Sequence, residues 1–424
     1  MIQNIHARQI LDSRSNPTVE VEMVSQRGTV RACVPSGAST GTHEVVELRD
    51  KTRAYHGKGV LCAVQSVNKI IRPALLGKVP EQIAVDNTLL FLDSTPNKSR
   101  LGANAMLGVS MAAARLAALE KNKSLYEHIA SLAQARPILP VPFANILNGG
   151  KHAASGLPIQ ELMIAPIHAR NFAQATQMIV ETYDELKGLI AHKYGKQWTL
   201  VGDEGGFAPP VRDVFEALNL IEEAVHRAGY KKSIKIAIDA AASEFYNAKT
   251  KKYTVGRDMN ADKLMDYYWT LLEDYPIISL EDPFAEDDFD AWRNFMERVR
   301  DKKIKKLQTS FQIVGDDLLV TNIKRIEIAL EKQLCNALLL KVNQIGTVTE
   351  AIAAAKVAMH YGWNVMVSHR SGETDDSFIA DLAVGLGCGQ IKLGAPCRGE
   401  RTAKYNQLLR IEEALGKKAR YGLY

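Results

Sequence analysis

Asp239, Glu281, Asp316, Lys341, His369 and Lys392 share one local grammar: each closes a short apolar run, and successive members lie 23 to 42 residues apart. Ile277-Ile278-Ser279-Leu280 ends in Glu281, and Pro283 then removes a ladder donor and stops the strand. Ile234 to Ile238 ends in Asp239, Gln312 to Gly315 in Asp316, Ala337 to Leu340 in Lys341, Asn364 to Ser368 in His369, and Gln390-Ile391 in Lys392. A single strand-end carboxylate can simply cap the next helix. Three in succession, with no thiol and no clustered imidazole, form a hard oxygen donor set that suits Mg²⁺ better than Zn²⁺. Lys341 leaves a buried strand; beside the ammonium of Lys392 and a metal, its pKa is expected to fall, so that it can serve as a base. Arg370-Ser371-Gly372 reads as an anion clamp, a guanidinium fork beside a hydroxyl and free backbone amides. With Lys392 it points to an anionic, phosphorylated substrate. Glu161, Glu204 and His152 add polar groups from earlier segments.

The elements that must position these groups follow from their spacing. A strand, a helix and a return strand need roughly 30 residues. Successive units of that length, each ending in a titratable group, predict an α/β fold, a (β/α) barrel with its chemistry at the C-terminal ends of different strands. Val141 to Leu147 and Ile159 to Ile164 read as two strands in succession, before a long helix over 171–194. Gly202-Asp203-Glu204-Gly205-Gly206 places another carboxylate on a glycine turn. Upstream, alternation over Val19 to Val24 and Thr29 to Val34 predicts a hairpin. Helical spacing predicts helices over Val60 to Ala74, Val85 to Leu92 and Ala103 to Glu120. The small side chains of the third imply close packing. Pro137, Pro140 and Pro142 mark a boundary, giving an α+β domain over 1–135 and a barrel over 136–424. The loop Pro35 to Glu44, rich in glycine and small hydroxyl residues, is either a linker or a lid that closes on a ligand.

The chain has 424 residues, 46% hydrophobic and 24% charged, as in soluble globular proteins. No apolar run reaches the roughly 18 residues of a membrane span. The N-terminal stretch is charged and carries Asn16-Pro17, unlike a secretory leader. Five cysteines without a CxxC pair predict neither a disulfide framework nor a zinc site, and place the chain in a reducing cytoplasm. The net charge of +5 is modest, and Lys302-Lys303-Ile304-Lys305-Lys306 reads as a solvated face, not a nucleic-acid surface.

Several runs together resemble the enolases, of the bacterial type: Asp12-Ser13-Arg14, Asn16 to Glu20, Ser36 to Gly41, Asn148-Gly149-Gly150, Gly202 to Gly206, Ser279 to Asp288, Leu338 to Gly346, Ser368 to Glu373 and Gln407 to Glu412. The resemblance runs nearly end to end. It implies a small α+β domain followed by a (β/α)8 barrel that begins β-β-α-α, which the two successive strands fit. It implies reversible, Mg²⁺-dependent dehydration of 2-phosphoglycerate to phosphoenolpyruvate. Asp239, Glu281 and Asp316 would hold one Mg²⁺, and Ser39 would join a second that arrives with substrate. Lys341 would remove the C2 proton. Glu204, with its pKa raised by Glu161, would assist loss of the C3 hydroxide. Gln160, His152, Ser368, His369, Arg370, Ser371 and Lys392 would contact the substrate or its phosphate. The resemblance further implies a homodimer or homo-octamer in the cytoplasm, with RNA-processing assemblies or cell surfaces as further places of association.

Removing a proton beside a carboxylate builds a dianion, so the cations implied here must stabilise that species more than the substrate. Departures from the family pattern occur at Ser15, where glycine is usual, at Leu162, over Ala153 to Ser155, and at Cys388, Leu393, Cys397 and Gly399. None is a proposed ligand, acid or base. Two other readings stand beside this one: a related enzyme acting on a non-phosphorylated acid, against which Ser39 and Arg370-Ser371 argue, and an enolase-like protein kept mainly as an interaction partner.

Overall fold

A computed structural model of the chain describes residues 1–38, 40–152, 156–301 and 311–422. Ser39, Ala153 to Ser155 and the lysine run from Lys302 to Lys306 lie outside the described residues, as does the side chain of His152.

The first elements are an antiparallel meander of β1 (Asn4–Leu11), β2 (Pro17–Ser25) and β3 (Gly28–Cys33). The expected hairpin is β2–β3. β1 escaped the sequence reading because only Ile5 and Ala7 of it turn inward, and the adjacent pair Ile10-Leu11 breaks the alternation. Between β1 and β2, Ser15 sits at φ 60°, in the left-handed region where glycine carries no penalty. Five helices follow: α1 (Leu61–Gln65), α2 (Arg72–Leu75), α3 (Gln82–Asp93), α4 (Ala103–Glu120) and α5 (Leu125–Ala133). A π-helical turn over Ser66–Ile71 joins α1 to α2. Glu81 caps α3 by accepting from the amides of Ile83 and Ala84, and Ser124 with Glu127 forms a capping box on α5; each cap is worth about 1 kcal/mol. α4 is almost wholly buried, as its small residues imply. A Cβ at Gly108 would come within 2.7 Å of Val21, so the helix seats closely on β2.

The barrel begins with β4 (Val141–Asn148) and β5 (Glu161–Ala165), then α6 (Phe172–Tyr194), α7 (Val214–Arg227) and β6 (Lys235–Asp239): the expected β-β-α-α start. A small sheet of β7 (Tyr246–Asn247), β8 (Lys252–Val255) and β9 (Arg257–Met259) leads to α8 (Ala261–Asp274). Regular alternation then takes over with β10 (Ile277–Glu281), α9 (Phe289–Asp301), β11 (Gln312–Gly315), α10 (Ile323–Lys332), β12 (Ala337–Leu340), α11 (Val342–Ile345), α12 (Val348–His360), β13 (Asn364–Ser368), α13 (Phe378–Leu386), β14 (Gly389–Lys392) and α14 (Gly399–Leu415). Eight strands close in the order β4-β5-β6-β10-β11-β12-β13-β14. β5 runs antiparallel to both neighbours, and the other pairs are parallel.

The barrel interior is layered. An apolar floor includes Val141, Phe143, Met163, Ile278, Leu339 and Met366. Toward the N-terminal ends of the strands, Gln312 bonds Ser279 at 3.0 Å and exchanges two bonds with Gln390, so these buried amides are mutually satisfied. The charged residues form the top layer. Among the described residues no helix is long and apolar enough to cross a membrane, and all five cysteines are free.

Candidate active site

Strand register delivers the expected residues to one end of the barrel. Asp239, Glu281 and Lys392 are the last residues of β6, β10 and β14, while Asp316, Lys341 and His369 come immediately after β11, β12 and β13. Glu161 reaches the same end because β5 runs the other way: its first residue lies opposite Asp239 on one side and Asn148 on the other. Glu204 arrives on a loop zipped to β4 by reciprocal bonds, Asn148 N to Phe207 O at 2.8 Å and Phe207 N to Ile146 O at 2.9 Å. A Cβ at Gly206 would sit 2.4 Å from Asn148 Oδ1, so only glycine lets the loop approach that closely.

Nine of the expected residues line one pocket: Gln160, Glu161 and Glu204 from the early segments, Lys341 and Lys392, and the run Ser368 to Ser371. Their side chains reach across it, leaving only about 10 Å³ for a water-sized body. A cleft of about 930 Å³ lies at the other end of the barrel, around Tyr275 and Ile277, away from the strand-end groups.

Lys392 Nζ, 2% exposed, meets Asp239 Oδ2 at 2.9 Å, Glu281 Oε1 at 2.9 Å and Glu161 Oε1 at 3.2 Å. Burial opposes its charge, but these carboxylates outweigh burial and hold it well above the ordinary lysine range. The carboxyls of Glu161 and Glu281 are pushed well up, by burial first, and then by Glu204 for Glu161 and Asp239 for Glu281. Lys341 Nζ donates to Asp316 Oδ2. Burial works to lower the Lys341 pKa, yet with no cation on Asp316 that carboxylate wins and raises it; the fall expected from sequence is for a metal-loaded site. The chain order does not reveal this cross-strand carboxylate.

Arg370 donates bidentately to Glu44, at 3.0 and 3.2 Å, and to Asn343 Oδ1 at 3.2 Å. The loop that carries Glu44 is fastened to the barrel. Ser36 and Gly372 exchange two backbone bonds of 2.8 Å, Ala38 N donates to Ser371 Oγ at 2.7 Å, and Thr42 N donates to Glu286 at 3.0 Å. Gln160 Nε2 lies 3.5 Å from Asp239 Oδ2, and the Ser368 hydroxyl donates to the His369 carbonyl. His369 Nε2 is 3.3 Å from Glu204 Oε2, and that oxygen accepts from Asn145 Nδ2 at 3.0 Å. His152 is placed only by its backbone, in the short turn Gly150–His152 after β4, and Ser39 is not placed.

Glu44, Asn145, Arg401 and Asp282 were not singled out as site residues from sequence. Asp282 accepts from the amides of Asp316 and Asp317, at 2.9 and 2.8 Å, and so fixes the turn that presents Asp316. Its φ of 40° is a local oddity that sequence could not signal. Among the described residues, two sets of donors come within 4.8 Å of one another: Glu161, Glu204 and His369, and Asp282, Asp316 and Asp317. Asp239 and Glu281 are instead gathered on Lys392, and Asp316 on Lys341.

Comparison with known proteins now bears on this arrangement. Residues 2–129 match the family described as enolase, N-terminal domain, and residues 136–423 match enolase, C-terminal TIM barrel domain. Enolase 1 of Entamoeba histolytica is 54% identical over 429 residues, covering 98% of this chain and 96% of that protein. The chain belongs to the enolase family: it is a metal-dependent phosphopyruvate hydratase, a lyase that interconverts 2-phosphoglycerate and phosphoenolpyruvate in glycolysis.

Proposed function

We propose that the strand-end pocket performs this dehydration with Lys341 as the base and Glu204 as the acid. The metal is proposed to be Mg²⁺, one ion held by Asp239, Glu281 and Asp316 and a second arriving with substrate beside Ser39. The carrying observation is the convergence of the buried Lys392, the half-buried Lys341 and these carboxylates at one barrel end. The donor set fits a hard cation: it offers carboxylate oxygen and no thiolate. Glu281 is pushed up by burial and by the like charges of Asp239 and Asp316, so the cluster gains from added positive charge. When bound, Mg²⁺ supplies electrostatic stabilisation of the charge that develops on the substrate carboxylate.

The protein's own groups do the rest. Arg370 and Ser371 grip the phosphate, with Gln160, His152, Ser368 and His369 as further contacts. Lys392 stays an ammonium, held so by Asp239 and Glu161, and faces the developing anion. Lys341 takes the C2 proton. Its contact with Asp316 favours the protonated form, and a cation held by Asp316 would weaken that hold on the ammonium. Glu204 gives a proton to the departing C3 hydroxide. The loop Ser36 to Gly41 closes on the substrate and excludes water.

We further propose the division into residues 1–135 and 136–424, supported by family matches that stop at 129 and resume at 136. A homodimer or homo-octamer acting in the cytoplasm is proposed on family membership and the free cysteines. The test of the site is turnover of 2-phosphoglycerate after EDTA dialysis, with Mg²⁺ restored. Activity should vanish and return in the wild type, while Asp239→Ala, Glu281→Ala and Asp316→Ala should stay inactive at ordinary Mg²⁺. Full turnover by any of these variants would refute the site.

A further inference from the structure

Arg401 lies on α14, is fully buried, and does not line the pocket. Its Nη1 meets His369 Nδ1 at 2.6 Å and donates to the Arg370 carbonyl at 2.6 Å. Its Nη2 donates to the carbonyls of Ser371 at 2.6 Å and Asp203 at 3.0 Å. One side chain thus ties α14 both to the clamp loop after β13 and to the loop that carries Glu204.

A guanidinium has five N–H donors and no acceptor, and it stays charged at any working pH. The ring nitrogen that meets it must offer a lone pair, so Nδ1 is unprotonated. Burial keeps His369 neutral, with a pKa lowered to about 4. Its one ring proton therefore sits on Nε2, which lies 3.3 Å from Glu204 Oε2 without making a hydrogen bond among the described residues. The opposite tautomer would set N–H against N–H at Arg401 and a lone pair against the carboxyl at Glu204. Asn145 Nδ2 donates to that same Oε2.

We propose that Arg401 is a positioning residue that fixes His369 as its Nε2–H tautomer, so that an N–H and not a lone pair faces Glu204 Oε2, the oxygen that accepts from Asn145, and can donate to it when the acid acts. The packing makes the arrangement rigid. A Cβ at Gly394 would lie 2.7 Å from the Glu204 carbonyl, 3.0 Å from Arg401 Cδ and 3.2 Å from His369 Cε1, so the chain after β14 closes tightly over all three. The catalytic half of this inference rests on Glu204 being the acid; the tautomer half does not.

The direct test is ¹⁵N NMR of histidine-labelled protein, with His369→Gln identifying one signal among the ten histidines. In the wild type near neutral pH, Nδ1 should show the shift of an unprotonated nitrogen and Nε2 that of an N–H. Arg401→Met, which keeps bulk and loses the donors, should mix or reverse the tautomers. Arg401→Lys should preserve them, since an ammonium also only donates. In D₂O, Arg401→Met should still exchange the substrate C2 hydrogen while product formation falls roughly a hundredfold, a typical share for a positioned acid, and Arg401→Lys should recover most of it. A general structural loss would lower exchange and turnover together. A wild-type proton on Nδ1 overturns the proposal even if Arg401→Met does not fold. So does an Arg401→Met protein with the wild-type tautomer and turnover. Full turnover by Glu204→Gln with the Nε2–H signal intact would instead fault the assignment of the acid.

Discussion

Glu44 occupies both terminal nitrogens of Arg370, the residue proposed to hold the substrate phosphate. The pair is largely buried, with Arg370 3% and Glu44 9% exposed, so removing the carboxylate leaves a desolvated guanidinium poorly compensated. Glu44 also accepts from Gly41 N, which shapes the loop that carries it. Glu44→Gln is expected to lower kcat/KM roughly tenfold, about 1.4 kcal/mol of transition-state stabilisation. It should also reduce the protection of the Ser36 to Gly41 loop from proteolysis when substrate and Mg²⁺ are present. Unchanged kinetics and unchanged protection would show that the pair is incidental. The strand-end residues were legible because each interrupts an apolar run. Glu44 and Arg401 were not, since one sits in a polar loop and the other on a helix where basic residues are common. The contact of Lys341 with Asp316 was not legible, because Asp316 lies across a strand boundary and 25 residues earlier.

At the scale of elements, the six strand-end groups and the β-β-α-α start could be read because hydrophobic period and spacing encode them. The direction of β5 could not. A short apolar run reads the same in both orientations, and the reversal that brings Glu161 to the mouth appears only in its pairing with Asp239. β1 was missed because few of its residues turn inward. The glycine turn around Glu204 was visible, but not its reason. Gly206 lies under Asn148 and the Asn145 carbonyl, where a Cβ would meet atoms at 2.4 and 3.0 Å. Gly206→Ala should therefore lift the loop from β4 and displace Glu204. We expect a drop in kcat larger than any rise in KM, with stability lower by about 1–3 kcal/mol. Steady-state kinetics and denaturant unfolding would check this, and wild-type kcat in the variant would contradict it.

The whole molecule is held together across its early and late segments by buried polar contacts. Arg115 on α4 forks onto Asp376 at 2.7 and 2.6 Å, and Ser13 N donates to the Glu373 carbonyl at 2.7 Å. Two buried histidines make stability depend on acid. His128 on α5 has no hydrogen-bond partner at either ring nitrogen among the described residues. Burial lowers both His128 and His369 from 6.5 to about 4. As pH falls, the unfolded chain binds these protons first, so stability is intact above about 6.5 and is lost between about 6.5 and 4. Asp381 works the other way: burial raises it from 3.8 to about 6, so its contribution weakens as pH rises through that window. His128→Leu should narrow the difference in Tm between pH 7 and pH 5 measured by calorimetry. An unchanged difference would mean that His128 is not buried neutral. The central claim is that one pocket, at the end of an eight-stranded barrel, places the base and the acid as separate groups on different elements. Its most direct measurement is exchange of the C2 hydrogen of 2-phosphoglycerate in D₂O, followed alongside product formation. Glu204→Gln should exchange that hydrogen without forming product, and Lys341→Ala should do neither; exchange that persists in Lys341→Ala would contradict the account.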